Sequence, residues 1–334
     1  MSTERAAVLA GLGGYLPPRL VTNDELCAGL DSTPEWIESR TGIRERRHVD
    51  PGTATSDLAV EAGARALRSA GITSVDVVVV ATTSPDRTCP ATAPEVAMRL
   101  GVGTVAAYDV ASACGGFAYG LATASGLIAA GIADTVLLVG AEAFSVFVDP
   151  ADRATRPIFG DGAGAAVLRA GRPSEPGAIG PFDLGSDGEG VALLAVPAGG
   201  SRQHDGVERY LAMDGRAVYQ NAVKRMTRSA TAVLDRAGWP VETVDSFVGH
   251  QANIRILHTV ADRLGVPRER AVVNIDRVGN ALAASIPLAL AEANALGRLT
   301  LGDRVLLTAF GAGFSWGSTV LTWPRLTCGN PFDN

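Results

Sequence analysis

ARALRSAGITSVDVVVVATTS (residues 64–84) and TAVLDRAGWPVETVDSFVGHQAN (residues 231–253) decide the fold, because they are two versions of one pattern. Each reads as a helix, a glycine stop, a Val-Asp pair and an apolar strand, with Gly71 and Gly238 as the stops. The likeness continues downstream. YDVASAC (108–114) parallels NIDRVGN (274–280), and each is followed by an alanine-rich helix, uncharged in the first and with Glu292 as the single charge in the second, that runs to a glycine, Gly131 or Gly297. The apolar strands TVLLVGA (135–141) and RVLLTAF (304–310) come next, then the glycine-rich runs FGDGAGAAVL (159–168) and FGAGFSWGSTVL (310–321). Two copies of one βαβ-type unit predict two similar halves, 1–170 and 171–334, whose sheets bury a pair of central helices in a duplicated, layered α/β arrangement. Cys114 and Asn280 are then expected at equivalent places, the N-termini of those paired helices.

Composition bounds the function. The chain has 334 residues, 47% hydrophobic and 19% charged, enough for an ample globular core. Its net charge of -6 argues against nucleic acid as the main partner, so an acidic partner must find a local basic patch. The cysteines at 27, 89, 114 and 328 share no metal-ligand spacing and no secretory signal precedes them, which predicts free thiols in a reducing cytoplasm and no metal. Val110 to Ala133 carries no formal charge, yet it is dominated by Ala, Gly, Ser and Thr and flanked by Asp109 and Asp134. That composition predicts a helix buried on all sides, not a membrane span. GLGGYL (11–16) lacks the third glycine of a dinucleotide fingerprint and GDGAG (160–164) lacks a following Gly-Lys-Ser/Thr, so both read as turns.

A thiol at a helix N-terminus is a candidate nucleophile. The helix dipole contributes up to about 2 kcal/mol, roughly 1.5 pKa units, which leaves a thiol of ordinary pKa largely protonated. A histidine is the usual second activator. His250 follows directly on an apolar strand, where a loop presents it over the sheet edge. His48, His204 and His258 sit in polar or helical contexts and read as surface or hydrogen-bonded histidines. Taken alone, Cys114 is a small core residue and Asn280, after Gly279, a helix N-cap. The repeat raises the standing of both.

Four ordered motifs, ASACGGF at Cys114, GHQANIRI at His250, DRVGNALAASIP at Asn280 and the closing FGAGFSWGS, resemble β-ketoacyl-acyl-carrier-protein synthase III of the thiolase-like superfamily. The resemblance runs from VTNDEL and STPEWIESRTGIRERR to STVLTW, and only RLTCGNPFDN goes beyond it. It implies a thiolase-like, duplicated layered α-β-α-β-α fold and a two-stage acyl transfer. Cys114 takes the acyl group from acyl-CoA, with oxyanion donors from the backbone N–H groups of Cys114 and Ala312. Ala312 stands where glycine is frequent, which is tolerable if its φ is negative. A malonyl thioester then loses carbon dioxide, and neutral His250 with the Asn280 amide donates to the enolate. Asn280 separates this pattern from the Cys-His-His set of elongating ketosynthases and thiolases.

The resemblance further implies acyl-CoA and acyl carrier protein as partners, a homodimer, no redox cofactor, and neither nucleic acid nor membrane as a partner. For CoA it carries over Trp36, Arg40, Arg153, Gly215, Tyr219 and Asn253. For the carrier protein Arg255 matches a basic position; Gln220 falls where lysine is frequent, and Lys224, Arg225 and Arg228 on the same helix are expected to compensate. The acyl pocket is expected to include Phe159 and Cys89, the latter closing the partner subunit's pocket from the loop SPDRTCPATAP (84–94). A small side chain at 89 predicts starters longer than acetyl and favours polyketide priming over fatty-acid initiation. Two rivals stand beside this reading: acyl transfer without carbon-carbon bond formation, and an inactive scaffold in a polyketide complex.

Overall fold

The computed structural model describes residues 5–204 and 209–333. The first half forms a five-stranded sheet in the spatial order Ala6–Tyr15, Gly162–Gly171, Thr135–Glu142, Val77–Ala81, Ala106–Val110. The last three run parallel and the first two pair antiparallel. The second half repeats this with Ile179–Gly185, Ser315–Thr322, Arg304–Gly311 and Ser246–Gly249. Its fifth strand shrinks to a single parallel bridge between Phe247 and Ala271.

The repeated sequence signals act alike in both halves. Helix Thr55–Ala70 ends at Gly71 (φ 67°), whose N–H donates to Arg68 O, and helix Gly215–Ala237 ends at Gly238 (φ 65°), whose N–H donates to Asp235 O. These are left-handed positions that glycine fills without strain. Asp76 then accepts from the Thr135 N–H at 2.8 Å and Asp245 from the Arg304 N–H at 2.9 Å, so each Val-Asp pair latches its strand to the next one in the sheet.

Helices Gly116–Ala129 and Ser285–Ala295 lie side by side between the sheets. A Cβ on Gly116 would sit 3.2 Å from Ala283 Cβ, and one on Gly164 would sit 2.7 Å from Pro287 Cβ. Leu12, Val79, Phe117 and Ile128 of the first half join Val248, Leu307 and Trp323 of the second in one buried cluster, so the halves share a core.

Three expectations need correction. GLGGYL is not a turn but the end of strand Ala6–Tyr15: helix Thr55–Ala70 lies so close that a Cβ on Gly13 would fall 2.3 Å from Ala62 O, and glycine permits that approach. GDGAG is not a turn either: the Gly160 N–H donates to Asn280 O and the Asp161 N–H to Arg47 O, both far along the chain, and Gly162 opens the next strand. The helix from Gly116 is not buried on all sides, because Gly126 and Ala129 are exposed, whereas Ser285–Ala293 is buried throughout. The closing residues also acquire a role. Trp323 Nε1 donates to Asn294 Oδ1 at 3.0 Å, Cys328 Sγ to Ala291 O at 3.4 Å, and the Phe332 ring stacks under Arg277, so the tail straps the Ser285–Ala295 helix.

Candidate active site

One cavity of about 1040 Å³ is lined by Cys114, His250, Asn280 and Ala312, together with Phe159 and all six residues expected to meet CoA. Cys114 arrives there through a strained link. After strand Ala106–Val110, Ala113 takes φ 42° and heads a single 3₁₀ turn, Ala113–Gly115, that leads into the helix. In the second half Leu282 takes φ 44° and heads the turn Leu282–Ala284. The residue matching Cys114 is therefore Ala283, and Asn280 lies three residues upstream of it. The cause is helix length, 14 residues against 11, with the difference taken up in the turn that carries Asn280.

Asn280 is pinned by its backbone. Its N–H donates to Ile158 O at 2.9 Å and its carbonyl accepts from the Gly160 N–H at 3.0 Å. Its Oδ1 accepts from the Leu282 N–H at 2.9 Å. The capping and donor readings are thus compatible: the oxygen is held by the backbone, which orients the amide and leaves Nδ2 as a donor.

His250 hangs from strand Ser246–Gly249, its N–H bonded to Thr308 O at 2.9 Å. The ring is buried, neither nitrogen has a partner among the described residues, and burial lowers its pKa to about 3. At neutral pH it is an uncharged imidazole with one donor and one acceptor.

Cys114 departs from expectation. Burial, helped by the nearby Glu142 carboxylate and opposed by its own backbone N–H, raises the thiol to about 12. The helix start offers at most about 2 kcal/mol against this, so the resting group is a thiol whose proton must leave as attack occurs. Gly311 makes room beside it: a Cβ there would sit 2.8 Å from Cys114 Cβ. Ala312 is not among the residues of positive φ, so its methyl is unstrained and its N–H remains a suitable oxyanion donor.

Glu142 escaped the sequence reading. Fully buried at the end of strand Thr135–Glu142, it accepts from the Thr83 N–H at 3.0 Å and Ser84 Oγ at 2.7 Å, and burial raises it to about 7. An acid closing an apolar strand whose repeat ends in Gly311 was the available signal.

At the cavity mouth, helix Pro34–Thr41 is capped by Thr33 and stopped by Gly42 at φ 81°. The Arg153 and Arg40 guanidiniums lie 5.0 and 5.9 Å from the Trp36 ring centroid, in cation-π contact with it, so a flat nucleotide base would reach that face only by displacing Arg153. Tyr219 Oη bonds Thr259 Oγ1 at 2.9 Å, and Gly215 opens its helix. Asn253 is committed to protein: Oδ1 accepts from the Arg255 N–H and Nδ2 donates to Arg40 O at 3.0 Å.

Lys224 and Arg228 are exposed one helical turn apart. Arg225 does not join them, because it points a further step round the helix, bonds Asp187 at 2.6 Å and stacks on Trp316. Arg255 is exposed while bonding Ser39 O at 2.7 Å. Phe159 packs on Phe144 with centroids 5.2 Å apart. Cys89 is exposed and outside this chain's own cavity, which Arg87 and Thr88 line instead. His204 is exposed and His258 half-buried, but His48 is buried.

The duplicated sheets and their paired central helices define a thiolase-like protein. Models of 3-oxoacyl-[acyl-carrier-protein] synthase III match residues 108–188 and, for its C-terminal part, residues 234–323. A β-ketoacyl-[acyl-carrier-protein] synthase III of Streptomyces coelicolor is 58% identical over 330 residues, 96% of this chain and 98% of that one. The solved 3-oxoacyl-(acyl carrier protein) synthase III of Pseudomonas aeruginosa is 52% identical with a TM-score of 0.92, covering 96% and 99% of the two chains. A priming β-ketosynthase of a polyketide pathway is 36% identical with a TM-score of 0.92, over 98% and 99%. The chain belongs to the 3-oxoacyl-[acyl-carrier-protein] synthase III family, and with it to the acyltransferases.

Proposed function

We propose that the enzyme condenses an acyl-CoA starter with malonyl-acyl carrier protein. The Cys114 sulfur attacks the thioester carbonyl, its proton passes to the His250 imidazole and on to the departing CoA sulfur, and CoA leaves as the thiol while the acyl group stays on Cys114 and His250 is again neutral. The malonyl carbon-carboxylate bond then breaks, releasing carbon dioxide, and its electron pair gathers as an enolate held by His250 N–H and Asn280 Nδ2. That carbanion attacks the acyl-cysteine, and the thiolate departs. The chemistry calls for no cofactor. The observation that carries this reading is the meeting of a thiol and two uncharged donor side chains in one cavity that Trp36, Arg40 and Arg153 also line.

A homodimer in the cytoplasm completes the reading. It is supported by the position of Ala106–Val110 at the margin of its sheet and by the uncharged, exposed Gly126 and Ala129 nearby in sequence. In such a dimer Cys89 reaches the partner's acyl pocket, which favours starters longer than acetyl and polyketide priming. Among the described residues no helix is long and apolar enough to cross a membrane.

Mass spectrometry after exposure to a panel of acyl-CoAs, followed by malonyl carrier protein, tests the cycle. Acyl mass on Cys114 followed by carbon dioxide release is expected. Acylation without carbon dioxide release points to plain acyl transfer, and no acylation to a scaffold.

A further inference from the structure

Arg46 is fully buried and has no carboxylate partner among the described residues. Its guanidinium donates to three oxygens from separate segments: Val21 O at 3.1 Å, Asn23 Oδ1 at 2.8 Å and Pro157 O at 2.8 Å. Two residues on, His48 Nε2 lies 3.3 Å from Phe159 O. A carbonyl only accepts, so Nε2 carries the proton of that imidazole. Burial lowers Arg46 to about 10 and His48 to about 4, which leaves the first charged and the second neutral at physiological pH.

Of the carbonyls they hold, Pro157 O and Phe159 O belong to the segment that grips Asn280, through the two backbone hydrogen bonds at Ile158 and Gly160. The segment 44–47, which includes the short strand Glu45–Arg47, fastens both sides of that bridge: the Arg44 N–H donates to Asp276 O at 2.9 Å, and the Asp161 N–H to Arg47 O at 2.8 Å. A Cβ on Gly279 would lie 3.0 Å from Arg46 Cβ, and one on Gly160 3.2 Å, so both glycines press against the arginine stem. Neither Arg46 nor His48 lines the cavity.

We propose that Arg46 and His48 are positioning residues for Asn280, acting through Pro157–Gly160 to set where its amide meets the enolate. The inference rests on the role proposed for Asn280 above. Because Cys114 is carried by the other central helix, the effect should fall on decarboxylation and spare the first acyl transfer.

The test uses the full chain with Arg46→Met, His48→Leu and His48→Gln, the last restoring an N–H donor. Butyryl-CoA labelling of Cys114 reports the first stage, carbon dioxide release from malonyl carrier protein the second, and amide exchange of peptides covering 157–161 and 275–284 the placement. Labelling within about threefold of wild type is expected, with carbon dioxide release down about a hundredfold in Arg46→Met and His48→Leu and faster exchange in both peptides. His48→Gln should recover to within about tenfold. If Arg46→Met does not fold, the His48 pair decides. Unchanged exchange and carbon dioxide release, or both stages falling together with Gln no better than Leu, overturns the proposal. Faster exchange with decarboxylation intact, in Asn280→Ala as well, upholds the positioning and removes Asn280 from the enolate.

Discussion

The strand that ends in Glu142 and the strand that ends in Gly311 are copies of one element, and each closes on the central helix of the opposite half. Gly311 stops against Cys114, where it yields space. Glu142 stops near Ala283, the residue matching Cys114, and spends its oxygens on Thr83 and Ser84. One residue further, Ala312 lines the cavity, while the matching Ala143 N–H is taken by Thr55 Oγ1 at 3.1 Å and Ser84 Oγ at 3.0 Å. Duplication has thus preserved the backbone while one copy kept an open site and the other filled it with internal hydrogen bonds. The open copy is not self-sufficient. Its cavity takes the thiol from the first half and both donors from the second.

Moving the thiol between copies breaks that comparison most severely. Cys114→Ala should abolish acyl labelling, and adding Ala283→Cys should not restore it, since the strand end there carries a carboxylate that disfavours a thiolate. Labelling of the double variant by intact-mass measurement would show that the copies are still interchangeable. Asn280→Asp should remain acylated yet lose decarboxylation by about a hundred to a thousandfold, because an ionised carboxylate repels the enolate and one donor is gone. Condensation persisting within a few fold would remove Asn280 from the chemistry and leave His250 as the second half's sole donor to the enolate.

Cys89→Phe tests the reach of the first half across the proposed dimer. Comparing kcat/KM for acetyl-, butyryl- and hexanoyl-CoA should show longer starters losing about tenfold relative to acetyl, roughly two buried methylenes. An unchanged length profile would mean that Cys89 does not set the pocket floor.

The smallest effect is a pH slope. His250 is lowered from 6.5 to about 3, so the unfolded chain binds the extra proton between those values, and the associated stability is present above 6.5 and lost as pH falls. Glu142 is raised from 4.5 to about 7, so its contribution has the opposite sign and is lost as pH rises through that window. Between pH 7 and 6, His250→Gln should therefore flatten the acid loss of unfolding free energy, and Glu142→Gln steepen it, each by about 1 kcal/mol or less. Chemical denaturation at the two pH values reads both.

Much of this was legible because the duplicated signals are local or repeated. Gly71 and Gly238 act through neighbouring backbone, and the two Val-Asp pairs, each latched to a strand 59 residues on, were located by their repetition alone. The match of Cys114 to Asn280 slipped by three residues because spacing to Gly131 and Gly297 cannot reveal where a helix begins when the turn before it lengthens. The glycines of GLGGYL were misread for a related reason: they serve a helix more than 40 residues away, not a local bend. The rise in the Cys114 pKa was hidden too, since burial is a property of the assembled core and outweighs the helix start.

The His250 ring has consequences for inhibitor design. Most buried imidazoles surrender a protein hydrogen bond when a guest binds, so the new bond replaces an old one at little net gain. Here both nitrogens lack a partner among the described residues, and a compound that presents a donor and an acceptor to them at once gains both interactions without breaking a hydrogen bond of the ring to those residues. Affinity from that contact should depend weakly on pH above 5, because the ring stays neutral throughout, which distinguishes such a compound from one that relies on capturing the Cys114 thiolate.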